Sequence, residues 1–302
     1  MARLLMLTDR PRDGLRDYQT ALRLAERLNA SDVAALVARP QQAVIPAGFD
    51  ATLPDGGLGT VWTSPWPMDV AIPSVEEVES LFQACHRESL WRGVRCETQQ
   101  TRLMLVTAAA TVSRLFGLLV VSGASLRDEN GEAYWMRNLC QQVDRPLLVT
   151  NGNGDINDWR RIVVAGSTPQ EHNQLMRWGE HWSEELCLPL QSLELPQPTP
   201  TIWPWMRSVW QLLSPAMHRQ AVRESLAAFH LDAHDLLLVG RRTLHWPDQA
   251  GGVFISPTDL IESPLAAVGL LPTTLDHAAC QLLFSDFDSF DAPLATNEVF
   301  AA

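Results

Sequence analysis

The stretch GLLVVSGASLRDENG (117–131) contains residue types that could hold an anion. An apolar run is followed by SGAS (122–125), then by Asp128 and Glu129, with Glu132 just beyond. A glycine at the end of a buried strand lets backbone N–H groups approach a phosphate closely. The stretch therefore predicts a loop with the shape of a phosphate cradle, in which acidic side chains oppose phosphate binding.

A second stretch, AHDLLLVGRR (233–242), has a similar order of residues but the opposite charge. Gly240 ends its apolar run, and Arg241 and Arg242 follow directly. Guanidinium groups at this place attract anions. We therefore expect the better anion site to lie here.

A metal site and an activated thiol are also conceivable. His230 and His234 are four residues apart with two aspartates nearby, a spacing that could hold a metal ion. They fall where a helix is expected to give way to a strand, so we interpret them as capping or surface residues. Cys85 precedes His86, but neighbouring residues on a helix point in different directions, so no activated thiol is expected.

A hydrolase is the third function considered. Ser125 lies in a turn after an apolar strand, which superficially resembles a nucleophile elbow. The G-x-S-x-G pattern is missing, however, and no histidine is recognisable as the base. We therefore expect a protein that is not an enzyme.

Composition excludes several classes of function. The net charge of −12 argues against nucleic-acid binding, which needs a basic face. All 23 basic residues are arginine. The absence of lysine excludes Schiff-base chemistry, a Walker-A site and the kinase strand lysine.

The cysteines and the hydropathy pattern bear on location. The five cysteines are scattered and form no CxxC pair, which is typical of a protein in a reducing cytoplasm. No apolar run approaches the ~20 residues that a membrane span requires, and no signal peptide is recognised.

Strand-like segments occur twice in the same order. The four pairs are RLLMLTD (3–9) with RIVVAGS (161–167), VAALVA (33–38) with LQSLEL (190–195), LFGLLVVSG (115–123) with AHDLLLVGR (233–241), and RPLLVT (145–150) with SPLAAVG (263–269). Both opening strands are followed by an amphipathic helical pattern. Because most of the strands are continuous apolar runs with helices between them, the pattern predicts two doubly wound α/β units with parallel sheets.

The predicted domain organisation follows from this repeat. The first domain spans 1–150 and includes an irregular excursion over 40–74, which is rich in Pro and Gly. The second and shorter domain spans 159–271. An acidic tail over 272–302 follows, and its LLFSDFDSF centre could dock on the body of the protein.

The order and spacing of these parts resemble the universal stress protein family in its tandem form. The matching parts are an opening strand that ends near Asp9, a long first helix, an apolar strand that ends in Gly123, and a closing strand after Pro146. The resemblance implies two five-stranded parallel sheets of the adenine nucleotide alpha hydrolase-like fold, with strand order 3-2-1-4-5. It also implies that the halves pack as an internal pseudo-dimer, in a monomer or a homodimer.

ATP-binding members of that family carry Gly-x2-Gly-x9-Gly-Ser/Thr after the fourth strand and an Asp at the end of the first strand. The first half keeps Asp9 and Gly123, but Leu126 and Met136 stand where the later glycines are expected. The first-half motif is therefore broken.

The second half also departs from the motif. Gly240 is kept, but Thr243 and Val253 stand at the later glycine positions, and the pair Gly251-Gly252 lies slightly early. At the end of its first strand, Ala165 replaces the Asp. Neither half holds the full set.

The resemblance and these departures together predict a stress-related regulatory or protein-interaction protein with no cofactor. The alternative is an adenine-nucleotide (ATP) module that uses the second-half crevice. The candidate nucleotide- or anion-binding residues are Gly240, Arg241, Arg242, Gly166, Ser167, Gly251, Gly252, Asp9, Gly123 and Ser125. The physiological protein partner is not predicted.

Overall fold

The fold is taken from a computed structural model. The structure describes residues 3–39, 73–102, 105–126, 134–150, 156–166, 168–195, 224, 228–241, 265 and 267–271. Most of the predicted excursion over 40–74 and the whole of the predicted tail over 272–302 lie outside the described residues.

The described part of the chain contains nine strands and five α-helices. The strands are β1 (Arg3–Thr8), β2 (Asp32–Ala38), β3 (Arg95–Thr101), β4 (Leu118–Ser122), β5 (Leu147–Thr150), β6 (Arg161–Gly166), β7 (Leu190–Glu194), β8 (Asp235–Gly240) and β9 (Ala267–Leu271). The helices are α1 (Pro11–Arg27), α2 (Val75–Arg92), α3 (Leu105–Val112), α4 (Tyr134–Gln142) and α5 (Pro169–Leu186).

All nine strands belong to a single sheet in the order β3-β2-β1-β4-β5-β9-β8-β6-β7. The first five strands are parallel and follow the predicted order 3-2-1-4-5. The last four repeat the order 2-1-4-5 and are also parallel to one another. The fifth strand predicted for the second half has no counterpart among the described residues, and it stays a prediction.

The two halves meet at strands that occupy equivalent places in the repeat. β5 pairs antiparallel with β9, with Leu148 opposite Gly269 and Val149 opposite Val268. Antiparallel pairing of equivalent strands is the arrangement that a local two-fold axis produces. The sheet is therefore continuous from one half to the other.

The central strands are buried on both faces, as continuous apolar runs require. Leu5 and Leu7 contribute to a core on one face, while Leu4 and Met6 contribute to a core on the other. Because successive side chains of a strand point to opposite faces, this alternation assigns each residue at a strand end to one side of the sheet.

The first helix of each half begins as its sequence predicts. Pro11 and Pro169 occupy the first helical turns of α1 and α5, where a missing N–H costs nothing. Thr168 caps α5 by accepting a hydrogen bond from the Glu171 N–H. The predicted apolar stripes of both helices are buried, except that Leu15 is only partly buried.

Helix α2 ends in an exposed turn near the amino end of β3. It begins with a reciprocal capping box between Ser74 and Glu77. It ends at Gly93, which has a φ of 67° and is therefore in the left-handed region that favours glycine. The chain then enters β3 at Arg95, the edge strand of the first half.

The last predicted strand is shifted in the structure. The sequence pattern placed it at 263–269, but β9 runs from Ala267 to Leu271. In this register, the strand pairs on both sides, with β5 and with β8. The bounds of β9 are determined by its pairing with these two strands. The local sequence pattern does not contain that information.

Both halves open with an arginine stacked on an aromatic ring. The Arg3 guanidinium lies 5.1 Å from the centre of the Phe116 ring, and the Arg161 guanidinium lies 5.1 Å from that of Phe229. Each arginine begins the first strand of its half, and each phenylalanine precedes the fourth. Within the described part of the chain, no helix has both the length and the apolar character needed to cross a membrane.

Candidate functional site

The first-half crevice lies where β1 and β4 end side by side. β1 and β4 are parallel neighbours, and the strand order along the sheet runs in opposite directions on either side of them. Open α/β sheets bind ligands at such a switch point. Asp9 follows β1, and Gly123 opens a short 3-10 turn, Gly123–Leu126, that contains Ser125. The structure therefore brings three predicted site residues to one place.

Asp9 and Ser125 form a polar pair in this crevice. Burial raises the pKa of Asp9 above its ordinary value, and the nearby Ser125 hydroxyl and the Arg10 charge offset part of that effect. Buried Oδ1 of Asp9 and Oγ of Ser125 complete no hydrogen bond with another described group. Both atoms remain able to bond a ligand that presents donors or hydroxyls.

A second polar cluster lies on the opposite face of the sheet, and it was not predicted. Asp17 of α1 is almost fully buried, and the Thr150 hydroxyl at the end of β5 donates a hydrogen bond of 2.6 Å to its Oδ1. Burial raises the pKa of Asp17 to about 6, although the Thr150 and Ser122 hydroxyls oppose the shift. An aspartate among the buried positions of a helix is the sequence signal for such a group.

The second-half crevice lies between the ends of β6 and β8, which are parallel neighbours. Gly166 ends β6, and a Cβ at this position would overlap the backbone of His172. Glycine is therefore needed here so that the first turn of α5 can approach the strand. The close approach is a packing contact between helix and sheet.

The predicted site glycine Gly240 contacts a carboxylate. Any Cβ at position 240 would overlap the Oε1 atom of Glu171. Glu171 lies in the first turn of α5 and is only 7% exposed. A negative side chain is favourable at a helix N-terminus, so the position of this carboxylate suits the dipole of α5.

Arg241 was predicted to attract an anion, and the structure gives its guanidinium other partners. It is 8% exposed and donates to the carbonyl oxygens of Cys140, Val143 and Arg145. The Cys140 bond is 2.9 Å long. These carbonyls lie at and just beyond the C-terminal end of α4, where positive charge is favoured. Burial lowers the pKa of Arg241.

Four of the predicted anion-binding residues, Ser167, Arg242, Gly251 and Gly252, lie outside the described residues. Their role stays a prediction.

The structure also places the His230 and His234 pair and the Cys85 and His86 pair. His230 has a φ of 51° and its carbonyl accepts a hydrogen bond from Arg161. The residues that the structure describes contain no group of three potential metal ligands. Cys85 is buried, which raises the pKa of its thiol, while His86 is exposed and contacts Thr98. A buried thiol with a raised pKa is a poor nucleophile.

Comparison with known proteins yields similarity to solved structures. No protein-family model matches the sequence, and no curated protein matches it. A universal stress protein from Archaeoglobus fulgidus DSM 4304 has 10% sequence identity and a TM-score of 0.48, with 89% of this chain and 96% of that chain covered.

A functionally unknown protein from Pseudomonas aeruginosa PAO1 has 12% identity and a TM-score of 0.45, with 93% of this chain and 96% of that chain covered. The resemblance predicted from the sequence is to the same family as the Archaeoglobus structure. Because both TM-scores are below 0.5, the chemistry of the two crevices is interpreted from this chain's own residues.

Proposed function

We propose that this chain is a non-catalytic, stress-related regulatory protein of the tandem universal stress type, which acts through protein partners and does not hold a nucleoside triphosphate. The observation that carries the proposal is the Glu171 carboxylate packed on Gly240. The residue that would cradle a phosphate in the second half already contacts an acidic group of the same chain.

Charge supports this proposal. Two like charges ~4 Å apart repel by ~1 kcal/mol in water and by ~4 kcal/mol at the effective dielectric of a protein surface. A triphosphate at the end of β8 would meet the Glu171 carboxylate at such a distance or would have to displace it. Arg241 is the predicted counter-charge among the described residues, and backbone carbonyls of the first half engage it.

The first-half crevice also disfavours a phosphate, but its polar atoms suit a neutral group. Asp9 is the charged side chain that the structure places with Ser125, and acidic Asp128 and Glu129 follow in the sequence. The Asp9 Oδ1 and Ser125 Oγ atoms complete no hydrogen bond with another described group. These atoms favour a second candidate function, binding of an adenine nucleoside through its base or sugar in the first half.

The internal pseudo-dimer is part of the proposal. The antiparallel pairing of β5 with β9 supports it, as does the repeated stacking of Arg3 on Phe116 and of Arg161 on Phe229. A chain that supplies both halves needs no second copy to cover β5. We therefore propose a tandem duplication that works as a monomer.

We place this activity in the cytoplasm. The four cysteines of the described part, Cys85, Cys96, Cys140 and Cys187, are all free thiols. Free thiols in a chain of this composition suit a reducing compartment.

The proposal is tested by what copurifies with the native protein. Full-length chain is isolated from its own cells, denatured, and examined by mass spectrometry for adenine nucleotides and for protein partners. We expect at least one stoichiometric protein partner and no ATP or ADP. Release of stoichiometric ATP would overturn the proposal, while release of adenosine would favour the nucleoside candidate.

A further inference from the structure

The C-terminal turn of α2 carries two large apolar side chains in solvent. Leu90 is 83% exposed and Trp91 is 85% exposed. A single exposed apolar residue needs no explanation, but two adjacent ones of this size form a patch that favours burial against something else. We call Leu90 and Trp91 the α2 patch.

The charges around the α2 patch favour an acidic occupant. Arg87 precedes Leu90 by three residues and Trp91 by four, so it lies beside both on the helix surface, and it is exposed. Arg95, just after the patch, has a side chain that is 75% exposed. Arg95 also pairs with the largely buried Asp32, and Glu88 lies on the same helical turn as the patch. Arg87 and Arg95 are therefore the positively charged side chains that an acidic segment can approach from solvent.

The chain contains a segment with matching chemistry. Residues 272–302 hold five acidic residues and no arginine or lysine. Within them, Leu283, Phe287 and Phe290 are spaced by four and three residues, and Asp286 and Asp288 lie between and beside them. Apolar residues with this spacing can meet a partner on one side while the carboxylates face its rim.

The path of the chain brings this segment to the correct end of the sheet. β9 ends at Leu271, one residue after Leu270 pairs with Leu147 at the amino end of β5. The α2 patch lies just before β3 begins at Arg95, which is also an amino end. Both features therefore lie along the same edge of the first-half sheet.

The length of the segment is sufficient for this path. β9 and β3 are five strand spacings apart, which is ~24 Å at ~4.8 Å per spacing. The twelve residues from Leu271 to Leu283 can extend over ~40 Å.

We propose that the acidic aromatic segment 282–290 docks on the α2 patch of its own chain, with Leu283, Phe287 and Phe290 against Leu90 and Trp91 and with Asp286 or Asp288 near Arg87 and Arg95. The contact covers a surface that the described residues leave open. It is independent of the proposed function, because it involves neither crevice.

Hydrogen–deuterium exchange of the full-length protein tests this contact. We expect amides of 282–290 to exchange about tenfold more slowly in the intact protein than in a synthetic peptide of the same sequence. The double variant Leu90→Ser/Trp91→Ser should restore the exchange rate of the peptide. Because both side chains lie in solvent, this variant is expected to fold.

A matched control and two contrary results complete the design. Val75→Ser removes another exposed apolar side chain at the opposite end of α2, ~22 Å along the helix from Leu90, and should leave the protection unchanged. Exchange at the peptide rate in the wild-type protein, or protection that survives the double variant, would overturn the proposal. Protection that increases with protein concentration would also overturn it, because the occupant would then be a second copy.

Discussion

The two halves use the same architecture but bury different carboxylates beside it. When Pro11 is aligned with Pro169, Asp13 corresponds to Glu171 and Asp17 corresponds to Leu175. In the first half, Asp13 is exposed and Asp17 is buried; in the second half, Glu171 is buried and an apolar Leu175 replaces the deeper acid.

The two halves therefore place different polar groups at crevices that the same strand order creates. Glu171 packs on Gly240 and supplies the second half with its own anion. In the first half, Asp9 Oδ1 and Ser125 Oγ at the crevice between β1 and β4 complete no hydrogen bond with any other described group. The polar groups at the two crevices therefore differ, although the strands of the two halves follow the same order.

The largest predicted effect concerns the buried acid of the first half. Asp17 has an ordinary pKa of 3.8 that burial raises to about 6, so folding favours its neutral form. The protonated Asp17 makes its full contribution to the free energy of unfolding below pH ~4. That contribution is lost as the pH rises through about 6, and the free energy of unfolding falls by about 3 kcal/mol in total.

The variant Asp17→Asn tests this pH dependence. We expect it to match the wild type near pH 4 and to exceed it by up to about 3 kcal/mol at pH 8, measured by urea unfolding. Glu79→Gln, at an exposed position of α2 away from this cluster, should follow the wild type at every pH. An Asp17→Asn protein that loses stability with rising pH as the wild type does would refute the account of this cluster.

The next effect concerns Arg241, whose guanidinium binds backbone carbonyls of the first half. Arg241→Met removes the donors from three carbonyls near the C-terminal end of α4 and should lower the free energy of unfolding by about 2–3 kcal/mol. Arg27→Met is the matched control, because Arg27 also joins the halves, through the Leu186 carbonyl, but is exposed.

We expect the Arg27→Met change to cost less than about 0.5 kcal/mol in chemical denaturation. Equal losses for the two variants would mean that Arg241 is not anchored in the other half.

A smaller effect tests the contact between Gly240 and Glu171. Gly240→Ala places a methyl group where Oε1 of Glu171 lies and should destabilise the protein by about 2 kcal/mol. In a Glu171→Ala background, the same change should cost less than about 0.5 kcal/mol, which a double-mutant cycle measures.

Gly93→Ala is the control for this cycle. Its φ of 67° makes alanine unfavourable by about 1–2 kcal/mol, and no atom lies within 4 Å of its Cβ position. The cost should therefore be the same with and without Glu171. A Gly240→Ala cost that does not depend on Glu171 would contradict the packing described for the second crevice.

The smallest effect concerns ligand selectivity. Glu171→Gln keeps the shape of the side chain and removes one negative charge from the second crevice. If repulsion of ~1 kcal/mol is relieved, binding of inorganic tripolyphosphate should strengthen by about fivefold relative to the wild type. Competition with a fluorescent anion measures this ratio, and a ratio of one would show that Glu171 does not repel the anion.

Much of the fold was predictable because its signals are local. Continuous apolar runs marked the strands, and the buried stripes of α1 and α5 were found from their periodicity. The antiparallel junction and the true bounds of β9 depend on pairing between distant strands. Local patterns do not contain that information.

The candidate site was predictable in position but only partly in chemistry. The structure brings Asp9, Gly123 and Ser125 to one crevice because adjacent parallel strands end together, and their role as binding residues stays a prediction. The partners of Arg241 come from the other half of the chain, about 100 residues away in the sequence. The contact of Glu171 with Gly240 follows only from the packing of α5 on β8.

The central claim is that the carboxylates of this chain exclude a nucleoside triphosphate from its crevices. Isothermal titration of Mg-ATP into the full-length wild-type protein tests it most directly. The account predicts no saturable heat of binding up to about 1 mM Mg-ATP. At this concentration the titration detects binding with a free energy more favourable than about −4 kcal/mol. Saturable binding with a micromolar Kd would contradict it.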